Sequence, residues 1–154
     1  MKQEIKQRID QIKNGEVPHG YKKTKIGIVP NEWQVENFDD VFTIVSNNVL
    51  SRNDMNEFEG YFLNIHYGDI LIKYNENLDC SNEKIPFINK DVEMKNYQLL
   101  DDRYVIFSDT AEDYTVGKAV ELLNVGNKKV VSGLHTIPCK PNKEFASKWF
   151  GYFL

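Results

Sequence analysis

The chain has few cysteines and no long apolar run, and each of these features excludes a class of protein. Cys80 and Cys139 are the only cysteines among 154 residues, too few for a disulfide scaffold or a four-cysteine zinc site. No apolar run approaches the ~20 residues that a membrane helix needs. The charged N-terminus also lacks the apolar segment of a secretory signal. We therefore expect a soluble cytoplasmic protein with free thiols and no contact with a membrane.

The sequence motifs of self-sufficient enzymes are missing as well. There is no glycine-rich phosphate loop and no GxSxG elbow, and His19, His66 and His135 lack the spacing of a zinc site. The densest acid cluster, at residues 109–113, follows a predicted strand, where Asp, Thr and Glu typically cap a helix. We interpret it as a cap, and an enzyme that uses this cluster or the cysteines is the least favoured alternative. The sequence thus predicts a non-catalytic protein with no metal and no cofactor of its own.

Charge is unevenly distributed along the chain. The 19 Lys and Arg and 23 Asp and Glu residues give a net charge of −4. Residues 1–25 hold seven basic and three acidic residues, a net +4, so that the remaining residues carry −8. DNA-binding domains are usually basic. Any DNA binding by the body of the chain must therefore rest on a local basic face, or on a partner that contacts the phosphates.

The N-terminal region predicts a helix followed by a linker. Ile5, Ile9 and Ile12 form one narrow stripe at helical spacing over residues 2–13, and Asn14-Gly15 is a helix stop. This stripe suits either packing on the chain's own core or pairing with a partner helix. Residues 15–34 contain two prolines and three glycines, which exclude a continuous helix. We divide the chain into a short helix at 1–14, a linker at 15–34 and a domain at 35–154.

The domain after the linker reads as β-rich. Short β-branched and aromatic runs, among them Val41–Val45, Ile70–Tyr74 and Tyr104–Phe107, alternate with turn residues and predict about seven strands. Phe145–Leu154 has helical spacing and ends the sequence inside an apolar stretch, so we expect the domain to be incomplete at its C-terminus. The fold class is α+β, with a twisted, partly barrel-like sheet, a short N-terminal helix and the start of a C-terminal helix.

Three stretches carry a family resemblance. They are GEVPHGYKKTKIGIVPNEW at 15–33, DTAEDYTVGKAVEL at 109–122 and VSGLHTIPCKP at 131–141. In this order they resemble the target recognition domain of specificity (S) subunits in type I restriction-modification systems, and Trp149–Leu154 looks like the start of that family's closing helix. This chain departs from the family in having one recognition domain instead of two and no long spacer helix after Leu154, as in a truncated or half subunit.

The resemblance implies a function in sequence-specific recognition of double-stranded DNA. In such systems the S subunit directs methyltransferase and motor/nuclease subunits to a split site, and each recognition domain reads one half in the major groove. S-adenosylmethionine, ATP and Mg²⁺ belong to those partner subunits. The specificity subunit itself is not an enzyme. A half subunit would need a second copy, so self-association is expected, with Ile5, Ile9 and Ile12 as the partner helix face.

Loop residues of the types that contact DNA supply the candidate site. Arg and Lys read guanine, Asn reads adenine, and Lys and Tyr hold phosphates. The alternative function is a non-catalytic, DNA-mimicking antirestriction-like module, in which the acidic body binds the methyltransferase subunit. The candidate DNA contacts are Asn47, Arg52, Lys73, Tyr74, Lys118 and His135.

Overall fold

The computed structural model describes residues 3–95 and 97–154, and the chain forms two compact units, unit 1 at residues 1–37 and unit 2 at residues 38–154. The sequence predicts that the domain begins at residue 35, and unit 2 begins at residue 38. The described residues form four α-helices and three sheets. Within the described residues, no helix is long and apolar enough to cross a membrane.

Unit 1 contains a helix and a hairpin. Helix α1 (Gln3–Lys13) confirms the helix prediction, apart from Met1 and Lys2, which lie outside the described residues. Strands β1 (Tyr21–Thr24) and β2 (Gly27–Pro30) pair antiparallel. The segment interpreted as a linker, residues 15–34, therefore contains this hairpin.

The hairpin forms because the breaker residues lie where a hairpin tolerates them. Pro18 precedes β1 and Pro30 is the last residue of β2. Gly27 follows the two-residue turn with φ 131°, a conformation open to glycine. The Thr24 hydroxyl donates a hydrogen bond to the Gly27 carbonyl at 2.8 Å.

Unit 2 is built on a five-stranded sheet. Its strands, in spatial order, are β3 (Phe42–Ile44), β11 (Thr136–Pro141), β8 (Val105–Ser108), β9 (Ala119–Leu123) and β6 (Asn77–Asp79). Strand β11 pairs antiparallel with β3 and β8, β8 with β9, and β6 runs parallel to β9. All five residues of β9 are buried, as expected where neighbours cover both faces.

Unit 2 has a second sheet of four strands. In spatial order they are β10 (Val130–Ser132), β5 (Leu63–Ile65), β7 (Phe87–Ile88) and β4 (Met55–Asn56). Strand β10 runs parallel to β5, and β7 pairs antiparallel with both β5 and β4. None of the three sheets in the described residues closes into a barrel, so the structure confirms the α+β class without the barrel-like sheet.

Two apolar clusters hold unit 2 together. The larger takes Ile65 from β5, Ile106 from β8 and Leu122 from β9. The smaller joins Phe42 of β3 to Phe150, whose ring centroids lie 4.7 Å apart. Phe150 belongs to helix α4 (Trp149–Phe153), so the second cluster docks that helix on the sheet.

Two further helices, α2 (Phe38–Val41) and α3 (Tyr67–Ile72), complete unit 2. The prediction of a strand at Ile70–Tyr74 is wrong, because the first residues of this run belong to α3. A side chain before the run favours the helix over the strand. His66 Nδ1 accepts a hydrogen bond from the Gly68 N–H at 3.1 Å and caps the helix. Ile70 is then buried in the core while Ile72 is exposed.

Two local interpretations also change. The acid cluster at residues 109–113 does not cap a helix: Asp113 accepts hydrogen bonds from the backbone N–H and the hydroxyl of Thr115 in a tight turn. These bonds lower the pKa of Asp113. Helix α4 starts later than predicted, because Lys148 has φ 69° and cannot continue a right-handed helix backwards to Phe145.

Candidate functional site

Helix α3 has a group of polar side chains at each end. At its N-terminal end, side chains from four separate stretches of sequence lie in a series of contacts, which Asn47 joins through the backbone carbonyl of Thr136. We call this group the α3 face. Its members are Asn47, Arg52, His66, Tyr67, Asp109 and His135.

Arg52 lies at the α3 face in a fixed position. Its Nη1 and Nη2 atoms donate to the two carboxylate oxygens of Asp69 at 3.0 and 2.9 Å. The Asp69 side chain is only 9% exposed, whereas half of the Arg52 side chain faces solvent. The two hydrogen bonds raise the pKa of Arg52. A bidentate pair of this kind orients the guanidinium as well as holding it.

His66 is the buried imidazole of the face. Because its Nδ1 accepts from the Gly68 N–H, its ring proton is assigned to Nε2 in the neutral form. Burial, and next the positive charge of Arg52, lower the pKa of His66. Arg52 Nη2 is 3.4 Å from His66 Nδ1. At neutral pH the chain therefore presents one held cation beside one neutral imidazole.

His135 is the exposed imidazole of the face. It lies in the turn between β10 and β11 with φ 57°, a left-handed conformation that costs a non-glycine residue about 1–2 kcal/mol. Its Nδ1 is 3.3 Å from Asp109 Oδ1 and 3.2 Å from Thr110 Oγ1. The Tyr67 ring meets it edge-on at 5.3 Å. Backbone strain of this kind is concentrated at functional sites.

Asn47 completes the face next to His135. Its Nδ2 donates to the carbonyl of Thr136 at 2.9 Å. Among the described residues the carboxamide has no other hydrogen bond, so its oxygen and its second N–H remain available. The adjacent Asn48 is anchored by a 2.7 Å hydrogen bond from its Nδ2 to buried Asn64. The loop that presents Asn47 is therefore fixed at its base.

The other three predicted DNA contacts lie at the opposite end of α3. Lys118 Nζ donates to the carbonyls of Leu71 and Tyr74 at 3.3 and 2.8 Å. Lys73 Nζ and the Tyr74 hydroxyl both donate to the Lys84 carbonyl. Tyr74 is only 2% exposed, and its burial raises the pKa of its phenol. Lys118 satisfies carbonyls at the end of the helix, and Tyr74 packs in the core.

Sequence reasoning missed His66 and Tyr67 as members of the site, and Asp69 as the carboxylate that holds Arg52. They are brought to His135 by the parallel pairing of β10 with β5, which places Ser132 opposite Ile65. The next residues along both strands therefore emerge at the same edge. No local signal marks this long-range pairing.

The remaining candidate residues lie outside the α3 face. Ile5 and Ile9 of α1 are 45% and 37% exposed, and Ile12 is half-buried. Both cysteines are buried, and burial raises the pKa of Cys80 and Cys139 to about 11. Across the described part of the chain, no three His, Cys, Asp or Glu side chains group as a metal ion would require.

A scan against protein-family models and a search of curated proteins found no match to this chain.

Proposed function

We propose that this chain recognises a short DNA sequence through the α3 face, as the specificity component of a type I restriction-modification complex. The observation that carries the proposal is the convergence at one surface of Asn47, His135 and Tyr67. They come from three separate stretches of sequence and contact one another directly or through Thr136. The order of the three family-like stretches supports the same function.

The chemistry of the face suits base readout. Asn47 keeps a carbonyl oxygen and an N–H, the pair that reads adenine through N6 and N7 in the major groove. His135 offers its Nε2 atom to a base edge or a phosphate, since Nδ1 contacts Asp109 and Thr110. The Tyr67 hydroxyl can donate to a phosphate oxygen, which positions the protein without reading sequence.

The proposed role of Arg52 follows from its contacts. Two of its five guanidinium N–H groups donate to Asp69, which fixes the guanidinium plane against α3. Arg52 therefore acts by holding the loop at residues 51–54 against α3 and by placing a positive charge at the face. DNA methyltransferase and motor/nuclease subunits are the proposed partners, with the cofactors bound by them.

Selection from a random duplex library tests the function. The full chain, with and without a methyltransferase subunit of such a system, is mixed with the library and the bound duplexes are sequenced. We expect one enriched half-site. The Asn47→Ala variant should lose the preference at one base pair, a discrimination of about 1–3 kcal/mol.

The matched control is Asn75→Ala, since Asn75 is an exposed asparagine beyond the far end of α3. No enrichment with or without the methyltransferase subunit would refute DNA recognition. Binding to that subunit that duplex DNA competes away, with no DNA in the complex, would instead support the acidic DNA-mimic alternative. Equal effects of the two asparagine variants would remove Asn47 from the site.

His135→Gly separates function from folding at the face. Glycine accepts the left-handed conformation at φ 57°, so we expect the free energy of unfolding to rise by about 1 kcal/mol. Loss of the imidazole should weaken binding to the selected duplex. Urea denaturation and fluorescence anisotropy measure the two effects, and a variant that is more stable and binds as tightly as the wild type would exclude His135 from the interface.

A further inference from the structure

The basic side chains of the two units differ in how they are used. In unit 2, Arg52, Lys90 and Lys95 pair with carboxylates at 2.6–3.0 Å. Others donate to backbone carbonyls inside the fold, as Lys118 and Arg103 do. Most of these charges therefore contact groups of unit 2 itself.

In the described part of unit 1, the cations without a partner are the larger share. Four of its cations are exposed and, within residues 3–95 and 97–154, have no hydrogen bond or ion pair to a side chain or backbone group. We call these four the unit 1 cations. They are Lys6, Arg8 and Lys13 of α1 and Lys23 of β1.

The hairpin strengthens this charge. Residues 17–31 contain three lysines and no Asp or Glu. Lys22 donates to the Asn31 carbonyl and Lys25 to the Asn37 side-chain oxygen, both of them neutral groups, so neither lysine is neutralised. Unit 1 thus has a net charge of +2, while unit 2 carries −6.

We propose that unit 1 is the phosphate-binding element of the chain, and that its four unpaired cations contact the DNA backbone while the α3 face reads bases. This inference rests on the proposed function and assigns phosphate contacts and base contacts to different parts of the chain. The electrostatic part of DNA affinity comes from cations that displace counterions from phosphates, and the net charge of −6 on unit 2 opposes it. Exposed cations without partners supply it at no cost in broken ion pairs.

An anionic membrane is a less suitable partner for the same charges. Membrane-surface helices bury a broad apolar face. Helix α1 has three isoleucines in eleven residues, and Ile12 is already half-buried. Phosphates of duplex DNA therefore suit unit 1 better than lipid headgroups do.

Salt dependence of binding measures the number of phosphate contacts. Each contact contributes a slope of about −0.9 in log affinity against log salt. Four contacts predict a total slope of roughly −3.6 and about a hundredfold loss of affinity between 50 and 200 mM salt. The probe is the duplex selected above, titrated with the full-length chain and followed by fluorescence anisotropy.

The variant Arg8→Gln/Lys23→Gln should flatten the slope by about two units and leave the base preference unchanged. The control, Lys140→Gln/Lys148→Gln, removes two exposed cations from unit 2 and should keep the wild-type slope. Arg8→Lys/Lys23→Arg should also keep it, and circular dichroism confirms that every variant is folded.

The outcomes separate the two proposals. Wild-type binding with a base preference, together with an unchanged slope in Arg8→Gln/Lys23→Gln, refutes the role of unit 1 and leaves DNA recognition standing. Absence of any base preference in the wild type refutes DNA recognition by the α3 face. Binding of the wild type to phosphatidylserine vesicles but not to duplex DNA refutes both and assigns the unit 1 cations to a membrane.

Discussion

Units 1 and 2 differ in how most of their charged side chains are used. In unit 2 the carboxylates of Asp69 and Glu121 are buried and hydrogen-bonded, and Lys118 donates to backbone carbonyls. In unit 1 four cations project into solvent without partners among the described residues. A charge that is hydrogen-bonded inside a fold contributes to stability, whereas an exposed charge contributes little to stability and remains available for a ligand. Substitutions of these charged side chains should therefore affect stability in unit 2 and DNA binding in unit 1.

The largest effect is expected at Glu121. Its side chain is almost fully buried, and its two oxygens accept the backbone N–H groups of Lys148 and Gly151 at 2.8 and 3.0 Å. Glu121→Ala leaves both donors without a partner and opens a cavity beneath α4. We expect a loss of about 3 kcal/mol in the free energy of unfolding, measured by urea denaturation.

The matched control for Glu121 is Glu32→Ala in unit 1. Glu32 is exposed, and its substitution should change the free energy of unfolding by less than about 0.5 kcal/mol. If the two alanine variants lost the same stability, the difference between the units would not hold for acidic residues.

A smaller effect is expected at Lys118. Lys118→Met keeps the aliphatic stem but removes the ammonium that bonds the Leu71 and Tyr74 carbonyls. The loss should be about 1–2 kcal/mol, since the side chain is only partly buried. Lys23→Met, the control in unit 1, should leave stability unchanged but weaken DNA binding. The reverse pattern in thermal unfolding and anisotropy would return Lys118 to the DNA interface.

The parts of the structure that the sequence predicted are those with strong local patterns. Helix α1 follows from the spacing of Ile5, Ile9 and Ile12, and β8 follows from a β-branched and aromatic run. The run at α3 predicts a strand because it contains β-branched Ile70 and Ile72, while the residue that caps the helix, His66, lies outside that run. Tertiary context overrode a weak propensity there.

The candidate site was only half predictable, for a related reason. Residue type predicts Asn47, Arg52 and His135 as DNA contacts, and the structure brings these three to one end of α3. Residue type alone could not separate them from Lys118 and Tyr74, which hold backbone carbonyls at the other end. That distinction depends on which carbonyls lie within reach, and long-range strand pairing sets these distances.

The smallest expected effect is a pH dependence of stability that belongs to unit 2. The pKa of His66 is lowered in the folded chain, so the unfolded chain binds this proton more readily. The stability that neutral His66 provides is therefore complete above its ordinary pKa of about 6.5 and is lost as the pH falls through its lower folded value. Protonation at Nδ1 would also break the bond from the Gly68 N–H and place a positive charge beside Arg52.

His66→Asn isolates this effect, because asparagine also caps helices but does not titrate. Urea midpoints measured from pH 8 to pH 5 should fall more steeply for the wild type than for His66→Asn. His19→Asn in unit 1 serves as the control and should follow the wild-type profile. Parallel profiles for wild type and His66→Asn would mean that the imidazole gains no stability from being neutral, and the contrast between the two units would then rest on Glu121 and Lys118 alone.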